Sequence, residues 1–241
     1  GSVFVSWSEA CSGTSTCTVS MSEARSVNAN FAPLKTLTVS KTGTGSDAGT
    51  VTSAPAGINC GSDCTEGYPI NTPVTLAATP AANMSFTGWS GACSGTATTC
   101  TVVLDTDKAV SANFQSVQHS LTITKNGSGT VTSTPTGIDC GSDCSESYNY
   151  GTTVSLNAIP ATGYQFSGWS GACTGSASCT VTMTAARSVT AVFAPITYAL
   201  STSRAGTGSG TVTSDTGGIN CGATCQANFV AGTVVTLTAT P

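Results

Sequence analysis

Twelve cysteines among 241 residues are the first chemistry this chain offers, and they are ordered rather than scattered. Three pairs have the form Cys-x3-Cys, namely Cys60/Cys64, Cys140/Cys144 and Cys221/Cys225. Three others are separated by five or six residues, namely Cys11/Cys17, Cys93/Cys100 and Cys173/Cys179. An even count at recurring spacings reads as a disulfide framework formed in an oxidising compartment. The first segment of the chain holds only a pair of the second kind and the last only a pair of the first kind, so pairing within each pair leaves no thiol orphaned. Crossing the pairs inside a repeat would strand four. Local bridges are the expectation. Two alternatives stay open: crossed bridges, and a zinc site built from Cys60, Cys64, Cys93 and Cys100, which has the ligand number of a structural zinc but lacks the tight Cys-x2-Cys knuckles. A redox role is disfavoured because no Cys-x-x-Cys occurs.

The other reactive residues form no recurring constellation. His119 is the single histidine, no Gly-x-Ser-x-Gly elbow is present, and no cysteine is accompanied by a nearby histidine base. Asp105 and Asp107 lie two apart, and Asp63 and Asp143 lie inside Cys-x3-Cys loops, which raises calcium. The positions matching Asp105 and Asp107 in the next repeat are Thr184 and Ala186, however, and calcium needs six to eight oxygens. Asp143 and Glu146, as an acid and base pair, have no other polar groups beside them and read as a solvated turn. No Gly-rich stretch is followed by Gly-Lys-Ser/Thr, so a phosphate cradle is not expected. The chain is read as a non-enzyme with no cofactor and no metal.

Charge excludes further classes. Only 7% of residues are charged and the net charge is −4, leaving no basic field for a nucleic-acid backbone. No apolar run approaches the ~20 residues of a membrane span, and the first thirty residues lack the pattern of a signal peptide. The cysteines place the chain outside the cell or on its surface.

Gly-Trp-Ser-Gly-Ala-Cys occurs at Gly88 to Cys93 and again at Gly168 to Cys173, with a degenerate copy from Trp7 to Cys11. Trp89 to Trp169 and Cys60 to Cys140 are both 80 residues apart, and Cys140 to Cys221 is 81. A period of this kind marks a tandem array. Residues 1–33 read as the second half of a repeat, 34–116 and 117–195 as complete repeats, and 196–241 as the first half of another. Apolar residues alternate with Thr and Ser at period two, the pattern of half-buried strands. Val74, Leu76 and Ala78 share one face, as do Val110, Ala112 and Phe114, and Val189, Ala191 and Phe193. Val27, Ala29 and Phe31 follow the same pattern. Glycine-rich hairpin tips of differing length fall at Asn126 to Gly129, Thr42 to Gly49 and Arg204 to Gly210. The fold class is all-β: small, disulfide-stapled repeats arranged as an elongated rod. At about 80 residues per repeat a core supplies only a few kcal/mol, and each short bridge adds about 2 kcal/mol.

Trp7, Trp89 and Trp169 recur once per repeat. They invite a sugar-stacking reading, but a large apolar ring suits a small core better, and with Phe31, Phe114 and Phe193 they are expected at cores or junctions. Strict alternation puts Phe86 and Trp89 on opposite faces unless a bulge intervenes.

The order Tyr148-x-x-Gly151-Thr-x-Val154-x-Leu156-x-Ala158-x-Pro160, then Gly163-x-x-Phe166-x-Gly168-Trp169-Ser170-Gly171, then Met183 to Phe193, resembles the divergent InlB B-repeat family of bacterial surface and secreted proteins. The resemblance covers essentially the whole chain. It implies a β-rich repeat used in stalks, adhesins and other exported proteins, with relatives described as β-grasp-like. The leucine-rich repeats that carry receptor binding in internalins are absent. A structural stalk or filament is therefore the leading reading. A glycan- or surface-binding adhesin module and accessory repeats of an exported enzyme are the alternatives. Pro241 matches Pro80 and Pro160, and joining it to residue 1 of another copy nearly restores the repeat register. The two half-repeats are expected to meet, either between neighbouring copies in an open head-to-tail filament or within a longer covalent array.

Overall fold

The computed structural model describes residues 1–44 and 48–241; residues 45–47, the middle of the tip expected at Thr42 to Gly49, lie outside the described residues. The chain divides into two compact units, Gly1–Val117 and Gln118–Pro241. Among the described residues there is no helix, so the helix of a β-grasp has no counterpart.

The first unit contains β1 (Ser2–Glu9), β2 (Val27–Gly43), β3 (Gly49–Ala54), β4 (Thr65–Pro69), β5 (Pro73–Pro80), β6 (Met84–Gly91), β7 (Thr99–Val103) and β8 (Lys108–Ser116). The second contains β9 (Gln118–Asn126), β10 (Gly129–Thr134), β11 (Ser145–Asn149), β12 (Thr153–Pro160), β13 (Tyr164–Gly171), β14 (Cys179–Thr182), β15 (Arg187–Pro195), β16 (Thr197–Ser201), β17 (Thr211–Ser214), β18 (Asn220–Cys221), β19 (Gln226–Val230) and β20 (Leu237–Thr240).

Each complete repeat is built from two sheets. In the second unit one sheet runs β11-β9-β15-β13 and the other β10-β12-β14. The first unit repeats this arrangement with β4, β2, β8 and β6 in one sheet and β3-β5-β7 in the other. Neighbouring strands are antiparallel except β9 with β15 and β2 with β8, which run parallel. Each parallel strand is reached only after the chain has crossed the other sheet, as a parallel pair requires.

Alternation selects the buried face of every strand. Val74, Leu76 and Ala78 of β5 point inward with Val51 of β3 and Val102 of β7, and meet Leu37, Val39, Val110, Ala112 and Phe114 from the facing sheet in one core. Leu121, Ile123, Val131, Val154, Leu156, Val181, Val189, Ala191 and Phe193 form the equivalent core of the second unit. The intervening Thr and Ser side chains face outward, where hydroxyl ladders such as Thr75 with Thr101 link adjacent strands at 2.9 Å. Burying one such aliphatic side chain stabilises by about 1.5–3 kcal/mol.

The strand β2 joins two repeats without a break. Its first residues pair with β1, and its later ones pair with β4 on one side and β8 on the other. Residues 1–33 thus form a hairpin-like half-unit with no second sheet of their own. Residues 196–241 form the opposite half, in which β16 pairs β19 and β17 pairs both β18 and β20.

Candidate functional site

The conspicuous recurring construction is an aromatic and cysteine cluster at the end of each repeat. The register between β6 and β8 slips between Phe86 and Gly88, leaving Thr87 unpaired, and the same slip occurs between Phe166 and Gly168 and between Phe4 and Ser6. A bulge inserts one residue and shifts all that follow to the other face. Phe86 and Trp89 therefore share the inner face, with ring centroids 5.0 Å apart, and Phe86 meets Phe114 edge-on at 5.5 Å. Phe166, Trp169 and Phe193 repeat this triad, as do Phe4, Trp7 and Phe31.

Each indole spends its one donor on the loop that follows it. Trp89 Nε1 donates to the Ala97 carbonyl at 2.8 Å, Trp169 Nε1 to Ala177 at 3.1 Å, and Trp7 Nε1 to Ser15 at 2.8 Å. The backbone N–H of Trp89 also donates to the Gly95 carbonyl at 2.8 Å. Gly88 has φ of +147°, and a Cβ there would lie 3.0 Å from that same Gly95 oxygen. The glycine is what lets the loop close on the bulge.

The same loops carry one set of bridges. Cys93 is joined to Cys100, Cys173 to Cys179 and Cys11 to Cys17. The Cys-x3-Cys pairs close as Cys60–Cys64, Cys140–Cys144 and Cys221–Cys225. No free cysteine is found among the described residues. Cys60, Cys140 and Cys221 are buried, Cys60 and Cys140 within the cores of their repeats.

Trp89 and Trp169 are buried, as are Phe114 and Phe193. Phe31, expected at a core or a junction, is not in a core of the described residues: it is 65% exposed. Its sequence pattern matches Phe114 and Phe193, but those rings are covered by the facing sheet of their own repeat, and residues 1–33 have none. Trp7 is half-buried for the same reason.

The carboxylates weighed as cation ligands are engaged locally. Asp105 pairs with Lys108 at 2.8 Å, and the hydrogen bond and charge of Lys108 hold its carboxyl below the ordinary range. Asp107 accepts the Thr36 backbone N–H at 2.8 Å, and Asp63 and Asp143 accept the N–H of Thr65 and Ser145. Glu146 accepts from Ser147. His119 stands beside Tyr150, with ring centroids 6.1 Å apart.

A buried polar cluster escaped the sequence reading. Ser53 Oγ and Tyr68 Oη are 2.8 Å apart, and Ser53 accepts the Ile58 backbone N–H at 2.9 Å. Ser133, Tyr148 and Ile138 reproduce this at 2.9 and 3.0 Å. The signal was the recurrence of Ser-x-Pro with a tyrosine downstream, Ser53 with Tyr68 and Ser133 with Tyr148.

Comparison with known proteins defines the class. The chain belongs to the divergent InlB B-repeat family, whose domain matches residues 1–35, 36–118 and 119–197. This is a repeat domain and not an enzyme family. No curated protein matches the chain. Among solved structures it is similar to the Bacillus anthracis TIE protein, at 10% identity and a TM-score of 0.48, over 90% of this chain and 49% of that one. The chain thus spans about half the length of that protein. It is also similar to the major pilin protein of Streptococcus pyogenes, at 9% identity and a TM-score of 0.30, over 68% of this chain and 97% of the pilin. A third similarity is to the shaft pilin spaA of Lactobacillus rhamnosus GG, at 10% identity and a TM-score of 0.23, over 68% of this chain and 98% of that one.

Proposed function

We propose that this is an extracellular structural protein whose stapled β repeats form a stalk or filament on or outside a bacterial cell. The observation that carries the reading is the repetition of one construction, the Phe-Trp-Phe triad with its bridged loop, at the same place in both complete repeats and in residues 1–33. Its polar capacity is consumed internally. The indole N–H groups of Trp89 and Trp169 bond the protein's own backbone and both rings are buried, so neither offers a free face for stacking on a sugar. What varies between repeats is the hairpin tip, where Asn126 to Gly129 and Arg204 to Gly210 differ in length.

The bridges fit the same role. Each closes a short loop and contributes about 2 kcal/mol by restricting the unfolded chain, a large share for a repeat of this size. Such bridges persist in an oxidising environment outside the cell. A structural unit gains from this, because unfolding exposes it to proteolysis.

Titration with cell-surface glycans, followed by tryptophan fluorescence, tests the reading against an adhesin. A structural repeat gives no saturable change. Saturable binding at micromolar concentration, abolished by replacing a tryptophan, would make glycan recognition the function.

A further inference from the structure

The bridged loops of the two complete repeats differ by one residue. Both are anchored alike at first: the backbone N–H of Trp89 donates to the Gly95 carbonyl at 2.8 Å and that of Trp169 to Gly175 at 2.7 Å, and the indoles bond Ala97 and Ala177. From that anchor to the second cysteine the first loop has two residues, Thr98 and Thr99, and the second has one, Ser178. The sequence separation of the bridged cysteines falls accordingly from 7 to 6.

The residue is missing from the segment that runs beside the sheet. In the first repeat β7 pairs with β5 as far as Thr99 opposite Ala77, and the Thr98 carbonyl then accepts the Ala78 N–H at 2.8 Å. In the second, pairing stops at Cys179 opposite Leu156. One residue of strand spans about 3.3 Å, so the shorter loop ends its pairing before Ala158. The Ala158 N–H nevertheless points toward the loop. Val131, its partner in β10, turns its carbonyl away to the Cys140 N–H at 2.7 Å, so the two residues exchange no hydrogen bond. Among the described residues no backbone carbonyl of the loop receives the Ala158 N–H. Ala78 is buried, whereas Ala158 is only half-buried.

Between the edge of β12 and the loop lies a cleft of about 190 Å³, lined by Phe166 and Trp169 and by Asn157, Ala158, Ser176 and Ser178. No charged residue lines it. An unpaired strand edge is a template for another chain, and a peptide added at such an edge is held by main-chain hydrogen bonds, with pockets for its side chains. The first repeat shows, within the same protein, what completes this edge: extended main chain carrying the small hydroxyl side chains of Thr98 and Thr99.

We propose that this cleft docks a short extended segment of another polypeptide, built of small uncharged residues, whose main-chain carbonyl accepts the Ala158 N–H as the Thr98 carbonyl accepts that of Ala78. The size of the cleft suits small side chains. A charged one would be brought against Phe166 and Trp169 with no opposite charge to offset its lost hydration. The proposal goes beyond the structural reading and does not depend on it: the second complete repeat holds a partner chain at a place that the first fills with its own.

Hydrogen exchange and NMR shifts of the isotope-labelled full chain test this, with the peptide Ser-Gly-Thr-Ala-Thr-Thr, capped at both ends and copied from residues 94–99, as the probe. In the free protein the Ala158 N–H should exchange about tenfold faster than that of Ala78, the factor that one net hydrogen bond represents. The peptide should give saturable shifts at the Ala158 amide and the Trp169 indole N–H, and none at Ala78 or Trp89. A threonine inserted between Ser178 and Cys179 restores the length of the first loop and should abolish the response. Deletion of Thr98 should create the response at Ala78, and this variant decides if the insertion disturbs folding. N-acetylglucosamine, which also offers an amide carbonyl, should shift neither repeat. Absence of a saturable shift at Ala158 overturns the proposal, as do equal shifts in both repeats, or a response that survives the insertion in a protein that melts like the wild type. A shift of Ala158 by N-acetylglucosamine overturns it too, and would make the cleft a sugar site. The glycan titration is independent, because a glycan that bound both triads alike would leave the contrast between Ala78 and Ala158 intact.

Discussion

The indole nitrogen of Trp89 lies 2.8 Å from the carbonyl oxygen of Ala97, and this bond ties the core of the first complete repeat to the loop closed by Cys93 and Cys100. The ring fills the core while its single donor fixes the loop, so packing and bridging are one structure. Trp89→Phe keeps most of the apolar area but leaves the Ala97 carbonyl without this donor. It should cost about 1–2 kcal/mol, whereas Trp89→Ala, which also empties the core, should cost about 3–5 kcal/mol. Denaturant melts of the two variants check the difference, and equal losses would mean that the hydrogen bond contributes nothing.

Gly49 should tolerate no side chain. Its Cβ would lie 2.6 Å from Phe114 Cε1 and 2.7 Å from the Thr79 carbonyl oxygen, so Gly49→Ala must push a buried ring or a paired strand aside. A loss of about 1–3 kcal/mol is expected from such overpacking. Gly61→Ala serves as the control, because a Cβ there meets only the Thr50 methyl at 3.6 Å. Similar melting of both variants would contradict the seating of Phe114.

The bridges should differ in accessibility. Cys11 and Cys17 are both only half-buried, whereas each of the other bridges has one buried partner: Cys60, Cys93, Cys140, Cys179 or Cys221. Under limiting reductant with thiol trapping, Cys11–Cys17 should open first. Full reduction should cost about 4 kcal/mol per complete repeat, from two bridges of about 2 kcal/mol each. Opening of Cys60–Cys64 ahead of Cys11–Cys17 would contradict the burial described.

Acid should loosen the β17–β20 pairing. The Thr236 backbone N–H donates to Asp215 Oδ1 at 2.9 Å, and the hydrogen bonds of Thr236 hold this carboxyl below the ordinary carboxylate range. A depressed folded pKa contributes stability that is complete above the unfolded value and is lost as pH falls through the folded value. The melting temperature of wild type should therefore fall more on acidification through that range than that of Asp215→Asn. Parallel pH profiles would remove Asp215 from the account.

Much of the architecture was legible in the sequence because period two is a direct print of a half-buried strand. Val74, Leu76 and Ala78, and Val110, Ala112 and Phe114, point inward as their alternation requires. The pairing of those strands was not legible. Alternation is the same for parallel and antiparallel neighbours, so nothing in Val39 or Val110 announced that β2 and β8 run parallel. The bulge at Thr87 was visible only as a conflict, since alternation separated Phe86 from Trp89 and the register slip reunites them. Phe31 shows the other limit. It reads like Phe114, yet burial belongs to the sheet that covers a residue, and among the described residues no facing sheet covers Phe31.

Negative-stain electron microscopy of native material tests the central claim, that these stapled repeats serve as an extracellular stalk or filament. With repeats roughly 30 Å across, the account predicts linear stalks or fibres that thin and fragment when reductant is added. A field of discrete particles of single-chain size, unchanged by reductant, would contradict it.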